Sequence, residues 1–299
     1  MQRLTVKHST EYRYSKPVDF GEHRLMLRPR DSHDLRLLEA TLKIEPHAEL
    51  RWLHDVFGNS VAIATFQTMS DRLSIESQIV LDRYPLHTID FQMEAYAQRI
   101  PFSYPAREIP DLGRTIERHY PDPERLVTEW ARQFLDHDAV NSDTESFLNA
   151  LTAAIGRDFT YVTRHDPGVQ TPVETLDIKS GSCRDFALLM MEAVRSVGLA
   201  SRFVSGYLYD PALDGTDSNV VGAGSTHAWV QVYLPGAGWV EFDPTNGSAG
   251  GQNLVPVAFA REPAQAVPVS GTFGGDEADF LELDVIVTVS ATSTLQMAG

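Results

Sequence analysis

Residues 225–244 read Ser225-Thr-His-Ala-Trp-Val-Gln-Val-Tyr-Leu-Pro-Gly-Ala-Gly-Trp-Val-Glu-Phe-Asp-Pro244. Alternation puts Ala228, Val230, Val232 and Leu234 on one face of a strand and His227, Trp229, Gln231 and Tyr233 on the other. A second run puts Val240 and Phe242 on one side and Trp239, Glu241 and Asp243 on the other. The two runs predict a hairpin around Pro235-Gly-Ala-Gly238, and its register decides which residues meet. Pairing Leu234 with Trp239 sets His227 and Asp243 on opposite faces, because side chains alternate at every residue. Pairing Leu234 with Gly238 joins the two apolar faces and brings Asp243 opposite Trp229, one same-face step from His227. Core packing and assembly of a His-Asp pair favour the same register.

Upstream lies the single cysteine of the chain, in Ser180-Gly-Ser-Cys-Arg-Asp-Phe-Ala-Leu-Leu-Met-Met-Glu-Ala-Val194. Ser182 followed three residues on by Asp185 reads as a capping box, which puts Cys183 in the first turn of a helix. The unpaired N–H groups and the dipole of that turn favour a thiolate, and Arg184 adds a neighbouring cation. Phe186, Ala187, Leu189, Met190, Ala193, Val194 and Val197 make the helix apolar on most sides. Glu192 and Arg195 mark a narrow wet stripe, and Gly198 closes the helix. A lone cysteine is usually an inert, small hydrophobe. The polar entry Ser-Gly-Ser weakens that reading, and a histidine and an aspartate on facing strands supply the partners that catalysis needs.

Composition narrows the classes. At 299 residues the chain can bury a large core, and its 25 Lys and Arg against 41 Asp and Glu give a net charge of -16, which opposes binding to nucleic acid. The N-terminus has no signal-like apolar run, and no later segment approaches membrane-spanning length. One cysteine cannot form an internal disulfide or a Cys-rich zinc site, so the expectation is a cytoplasmic protein with no membrane or nucleic-acid partner. No acidic loop has calcium-binding spacing, and no metal or cofactor is expected.

Period-2 runs at Leu4–Tyr14, Arg24–Leu27, Leu38–Ile44, Ser60–Phe66 and Leu73–Leu81 predict an antiparallel β-sandwich over residues 1–88. Prolines 85, 101, 105, 110, 121 and 123 mark 89–122 as a linker. Residues 123–246 then form a core of helices followed by strands. Asp122 is expected to cap a helix starting at Pro123 and carrying Leu126, Trp130 and Phe134. A second helix, capped near Ser142 or Asp143, carries Phe147, Leu148, Leu151 and Ile155. Strands follow at Ser201–Tyr209 and in the hairpin, so the fold class is α+β. Residues 247–299 read as an extended tail: 247–275 lacks periodicity, and a last strand near Phe280–Val289 returns to the N-terminal sheet. Residues 211–224 have the composition both of a mobile flap and of a plain surface connection. The His-Asp pairs at His54, His137 and His165 show no metal-ligand spacing and read as surface residues.

The chain order Cys, His, Asp resembles that of the transglutaminase-like superfamily of papain-related thiol enzymes. The resemblance rests on Gly181-Ser-Cys-Arg-Asp-Phe-Ala187, Thr226-His-Ala-Trp-Val230 and Gly238-Trp-Val-Glu-Phe-Asp-Pro-Thr245, and residues 1–88, with Tyr12-Arg-Tyr-Ser-Lys-Pro-Val18, look like the β-rich N-terminal region of bacterial members. It implies Cys183 as nucleophile, His227 as general base and acid, and Asp243 as the group that orients and stabilises the imidazolium. The Cys183 N–H would serve the oxyanion, with a second donor from Tyr161 or Gln170. Tyr161, Gln170, Arg184 and Trp229 are substrate-groove candidates, Trp229 being equally suited to the core. The expected reaction is cleavage of a peptide or protein amide through an acyl-enzyme. Transfer to an amine is the first alternative, and a non-enzymatic interaction scaffold the second.

Overall fold

The computed structural model describes residues 1–84, 91–135, 142–164, 168–210 and 224–292. The first strand, Gln2–Phe20, buries Leu4, Val6, His8 and Thr10 on one face, as its alternation requires. It pairs antiparallel with Ser70–Arg83 on one side and Phe280–Thr292 on the other, and Leu35–Glu45 completes that sheet beyond Ser70–Arg83. A second sheet, Val269–Ser270, His23–Arg28, Ser60–Phe66 and Ala48–His54, lies against it. Tyr14, Val18, Phe20, Leu25, Leu27, Ala62, Leu73 and Ile75 fill the space between the two sheets. Ala48–His54 was not expected from the sequence: most of its side chains are exposed, so no apolar alternation marks it.

The following region is a five-stranded antiparallel sheet in the order Ser248–Ala249, Gly238–Asp243, His227–Leu234, Ser201–Leu208, Leu254–Ala260. Leu234 pairs with Gly238 and Val230 with Phe242, the register demanded by the apolar faces. The helix Cys183–Ser196 packs on the face made by Ala228, Val230, Val232 and Phe242, alongside the helix Thr144–Asp158. Asp143 caps the latter by accepting from the Ser146 N–H at 2.8 Å.

The structure corrects four expectations. The segment 247–275 is no unstructured excursion: Leu254–Ala260 is an outer strand of the second region's sheet. It is buried on both faces, which leaves no period-2 signal to read. The helix expected from Pro123 runs from Leu126 to Arg132, because Arg125 adopts a left-handed conformation (φ 60°). Asp122 instead accepts from Arg118 at 2.9 Å and from the Thr128 N–H at 3.3 Å, while Phe134 lies past the helix end. Glu192 and Arg195 are buried, not a wet stripe. They pair at 3.0 Å; Glu192 also accepts from Arg118 and the His119 N–H, and Arg195 donates to the carbonyls of Thr115, Ser201 and Arg261. The proline-rich stretch does more than connect. The Tyr104 hydroxyl donates to the Tyr233 carbonyl and accepts from the Ala200 N–H, fastening that stretch to the sheet.

Shared cores join the two halves. Leu4, Val6, Ile79, Leu81, Val287 and Val289 of the first sheet pack on Tyr207, Tyr209, Val255 and Val257 of the second region. The Asn59 side-chain amide both donates to and accepts from the main chain of Phe259. The Val287 N–H donates to the Gly224 carbonyl at 3.0 Å, tying the last strand to the chain just ahead of His227.

Candidate functional site

Cys183 opens its helix, and the turn before it is held by one buried carboxylate. Asp185 accepts from the Ser182 N–H and hydroxyl, each at 2.8 Å, from the Gln170 N–H at 2.7 Å, and from Arg164 at 2.9 and 3.0 Å. Gly181 is required there, because a Cβ would stand 2.9 Å from the Asp185 Cβ and 3.1 Å from Gln170 Oε1. Ser180–Gly181 pairs parallel with Thr160–Tyr161, which sets Tyr161 opposite Gly181. The Tyr161 phenol is raised above its ordinary pKa by burial and then by the Cys183 thiol beside it.

His227 starts its strand, fully buried, with Nε2 and Asp243 Oδ2 2.8 Å apart. The Asp-Pro-Thr-Asn turn secures the carboxylate: Oδ1 accepts from the Thr245 N–H at 3.0 Å, and Oδ2 accepts from Asn246 Nδ2 at 2.7 Å. Burial alone would disfavour the imidazolium and raise Asp243. Their mutual contact outweighs burial in both, so His227 is pushed up to about 10 and Asp243 is lowered. The other ring nitrogen, Nδ1, is buried, and the Cys183 thiol is a further group that acts on the ring, adding to the rise that Asp243 causes. The arrangement therefore presents a thiol at a helix start to a histidine whose far nitrogen is anchored on a carboxylate.

The remaining sequence candidates divide. Tyr161 is close enough to feel the charges of both Cys183 and Arg184, Arg184 donates to the Arg164 carbonyl at 3.3 Å, and Gln170 reaches Gly181, with its Oε1 accepting from the Thr175 hydroxyl at 3.2 Å. Trp229 is not a groove wall: it is completely buried with Val204, Leu208 and Leu254, and its indole stacks on His227 at 5.9 Å and 27°. Gly206, opposite His227, makes room for it, since a Cβ there would lie 2.7 Å from the indole. Arg164 and Asn246 were not anticipated. Asn246 was open to detection, because Asp-Pro-Thr-Asn has the chemistry of an Asx turn; Arg164 carried no local signal. The tryptophan's neighbour Glu241 accepts from Gln231 at 3.2 Å and is lifted to about 7 by burial, against the pull of Arg83. Residues 211–223 of the expected flap, and the His137 and His165 pairs, lie outside the described residues. His54 is exposed, while Asp55 caps its own turn through the Phe57 and Asn59 N–H groups. Among the described residues no cluster of His, Cys, Asp and Glu is suited to a metal, and no helix is long and apolar enough to cross a membrane.

Residues 130–244, which contain all three site residues, match the transglutaminase-like superfamily, and residues 4–82 match the bacterial transglutaminase-like N-terminal region. The chain belongs to the transglutaminase-like superfamily. It is 30% identical over 282 residues to an uncharacterized protein of Mycobacterium tuberculosis, covering 90% of this chain and 87% of that one. A protein-glutamine gamma-glutamyltransferase of Pseudomonas aeruginosa is 33% identical over 69 residues, which is 23% of this chain and 10% of that protein. The crystal structure of a candidate cysteine protease from Cytophaga hutchinsonii superimposes with a TM-score of 0.71 at 16% identity, over 98% of this chain and 91% of that one. That likeness shows the fold.

Proposed function

We propose that the protein is a thiol-dependent amide hydrolase working through Cys183, His227 and Asp243. The observation that carries this reading is the buried His227, anchored on Asp243 at 2.8 Å and acted on as well by Cys183, the only cysteine of the chain. The Cys183 sulfur attacks the amide carbonyl while the Cys183 N–H, at the helix start, donates to the oxyanion. The His227 imidazolium gives its proton to the departing amine, leaving an acyl-enzyme. His227 then takes a proton from water as water attacks the thioester, and the acid is released with the thiol restored. Asp243 keeps the ring oriented and makes its charged form attainable in a buried site. An amine in place of water would give a transglutaminase-type transfer, the reaction named for the Pseudomonas relative that aligns over 69 residues.

The test is intact-mass analysis of a peptide panel incubated with wild type and Cys183→Ala, with and without free amines. Peptide masses shifted by hydrolysis or by amine incorporation, in wild type only, support the reading and identify the acceptor. Shifts that persist in Cys183→Ala would contradict it.

A further inference from the structure

Two anions compete for the start of the Cys183 helix. The helix runs from Cys183 to Ser196, and its first turn also carries Asp185, which is fully buried. Asp185 Oδ2 accepts from the Ser182 N–H and hydroxyl, each at 2.8 Å, so the carboxylate sits against the residue that precedes the nucleophile. Bond lengths then place it within about 10 Å of the sulfur. A helix start favours a carboxylate as well as a thiolate, and the two repel each other. The chain brings a cation to this turn. The Thr160 N–H donates to the Lys179 carbonyl and the Val162 N–H to the Gly181 carbonyl, which lays residues 160–162 along the approach to the cysteine and leads Arg164 to the Asp185 side chain. Its Nη1 donates to both Asp185 oxygens, at 2.9 and 3.0 Å, with 17% of the side chain exposed. The clasp is reciprocal, since Arg184 donates to the Arg164 carbonyl at 3.3 Å. Both residues that follow the thiol therefore hold Arg164. Of the other titratable groups at the site, His227 is paired with Asp243 at 2.8 Å, and burial keeps the Tyr161 phenol neutral.

We infer that Arg164 is a positioning residue for the nucleophile: by neutralising Asp185 it leaves the helix start to the Cys183 thiolate. The inference rests on the thiol-enzyme reading, and one set of variants separates the two. The measurement is the pH profile of iodoacetamide alkylation at Cys183, followed by intact mass. The thiolate sulfur displaces iodide and forms an S–CH2 bond, so the rate tracks the thiolate fraction and the midpoint of the profile reports the charge balance around the sulfur. In Arg164→Gln the bare carboxylate should move the midpoint up by about one pH unit, the effect of a unit charge at that range inside a protein. Arg164→Lys keeps the charge and should keep most of the wild-type midpoint. Asp185→Asn leaves the Arg164 charge without its carboxylate and should move the midpoint down. Arg164→Gln combined with Asp185→Asn should return it to the wild-type position. A purely structural role would slow labelling without moving the midpoint in opposite directions for the two partners. Asp185→Asn nearly keeps the shape of the site, so its midpoint decides the matter where Arg164→Gln does not fold. A midpoint that stays at the wild-type position in natively labelled variants, or that rises in both single variants, overturns the role of Arg164 alone. Iodoacetamide that labels wild type only after unfolding overturns the thiol-enzyme reading and the inference with it.

Discussion

Replacing Asp243 with Asn removes a charge and nearly keeps a shape. Asp243 Oδ2 meets His227 Nε2 at 2.8 Å and accepts from Asn246 at 2.7 Å, while Oδ1 accepts from the Thr245 N–H at 3.0 Å. An Asn can hold the Thr245 contact, but its NH2 group then faces the Nε2–H of an imidazolium, donor against donor. Burial is then opposed only by the Cys183 thiol, and the ring falls from about 10 toward its ordinary 6.5. That change corresponds to about 5 kcal/mol, in line with the ~3–5 kcal/mol expected when one member of a buried pair is removed. At about pH 8 the ring passes from charged to mostly neutral. The assay is an NMR titration of histidine-labelled protein, with the His227 signal assigned by its loss in His227→Gln. In wild type the ring stays protonated beyond pH 8; in Asp243→Asn it titrates at about 6.5, and turnover drops by roughly 10³–10⁴, the scale for a catalytic histidine deprived of its carboxylate. A wild-type His227 that titrates near 6.5, or one indifferent to Asp243→Asn, would refute the reasoning.

Stability carries the same signature. The folded-state pKa of His227 lies above its unfolded value, so its contribution is complete below about pH 6.5 and is lost as pH rises toward about 10. Urea midpoints should fall across that window in wild type and much less in Asp243→Asn; equal slopes in the two proteins would count against the pair. Asp185→Ala removes the acceptor for Ser182, Gln170 and Arg164 and leaves the Arg164 charge, 17% exposed, without its carboxylate. The expected cost is ~3–5 kcal/mol by urea denaturation, with Asp185→Asn milder, and a loss under ~1 kcal/mol would show the network to be dispensable. Deleting residues 280–299 strips the strand that covers one edge of Gln2–Phe20 and removes Val287 and Val289 from the core shared with Leu4 and Val6. Such a chain should aggregate on size-exclusion chromatography, and a monodisperse, thermally unaltered product would show the strand to be peripheral.

Which parts of the molecule could be read in the sequence follows from which signals are local. The hairpin register was readable because two apolar faces and one His-Asp pair required the same alignment, and Leu234 does pair with Gly238. The helix start at Cys183 was readable because the Ser182 to Asp185 spacing is a local code, and the carboxylate does reach back to the Ser182 N–H. Leu254–Ala260 was not, since a strand buried on both faces has no alternation to detect. Glu192 and Arg195 were misread because two charges on an apolar helix suggest solvent, whereas here Arg118 and main-chain groups from distant segments satisfy them. Arg164 and its bond to Asp185 span 21 positions, a contact that only the folded chain makes.

The most direct test of the central claim is the native reactivity of Cys183, read by intact mass after iodoacetamide treatment of wild type, His227→Gln and Cys183→Ala. A thiol paired with an imidazolium should take a single label quickly near neutral pH in wild type, much more slowly in His227→Gln, and not at all in Cys183→Ala. A wild-type chain that labels only after unfolding, or at the same rate with and without His227, would mean that the thiol is a buried core residue and that the protein is not a thiol enzyme.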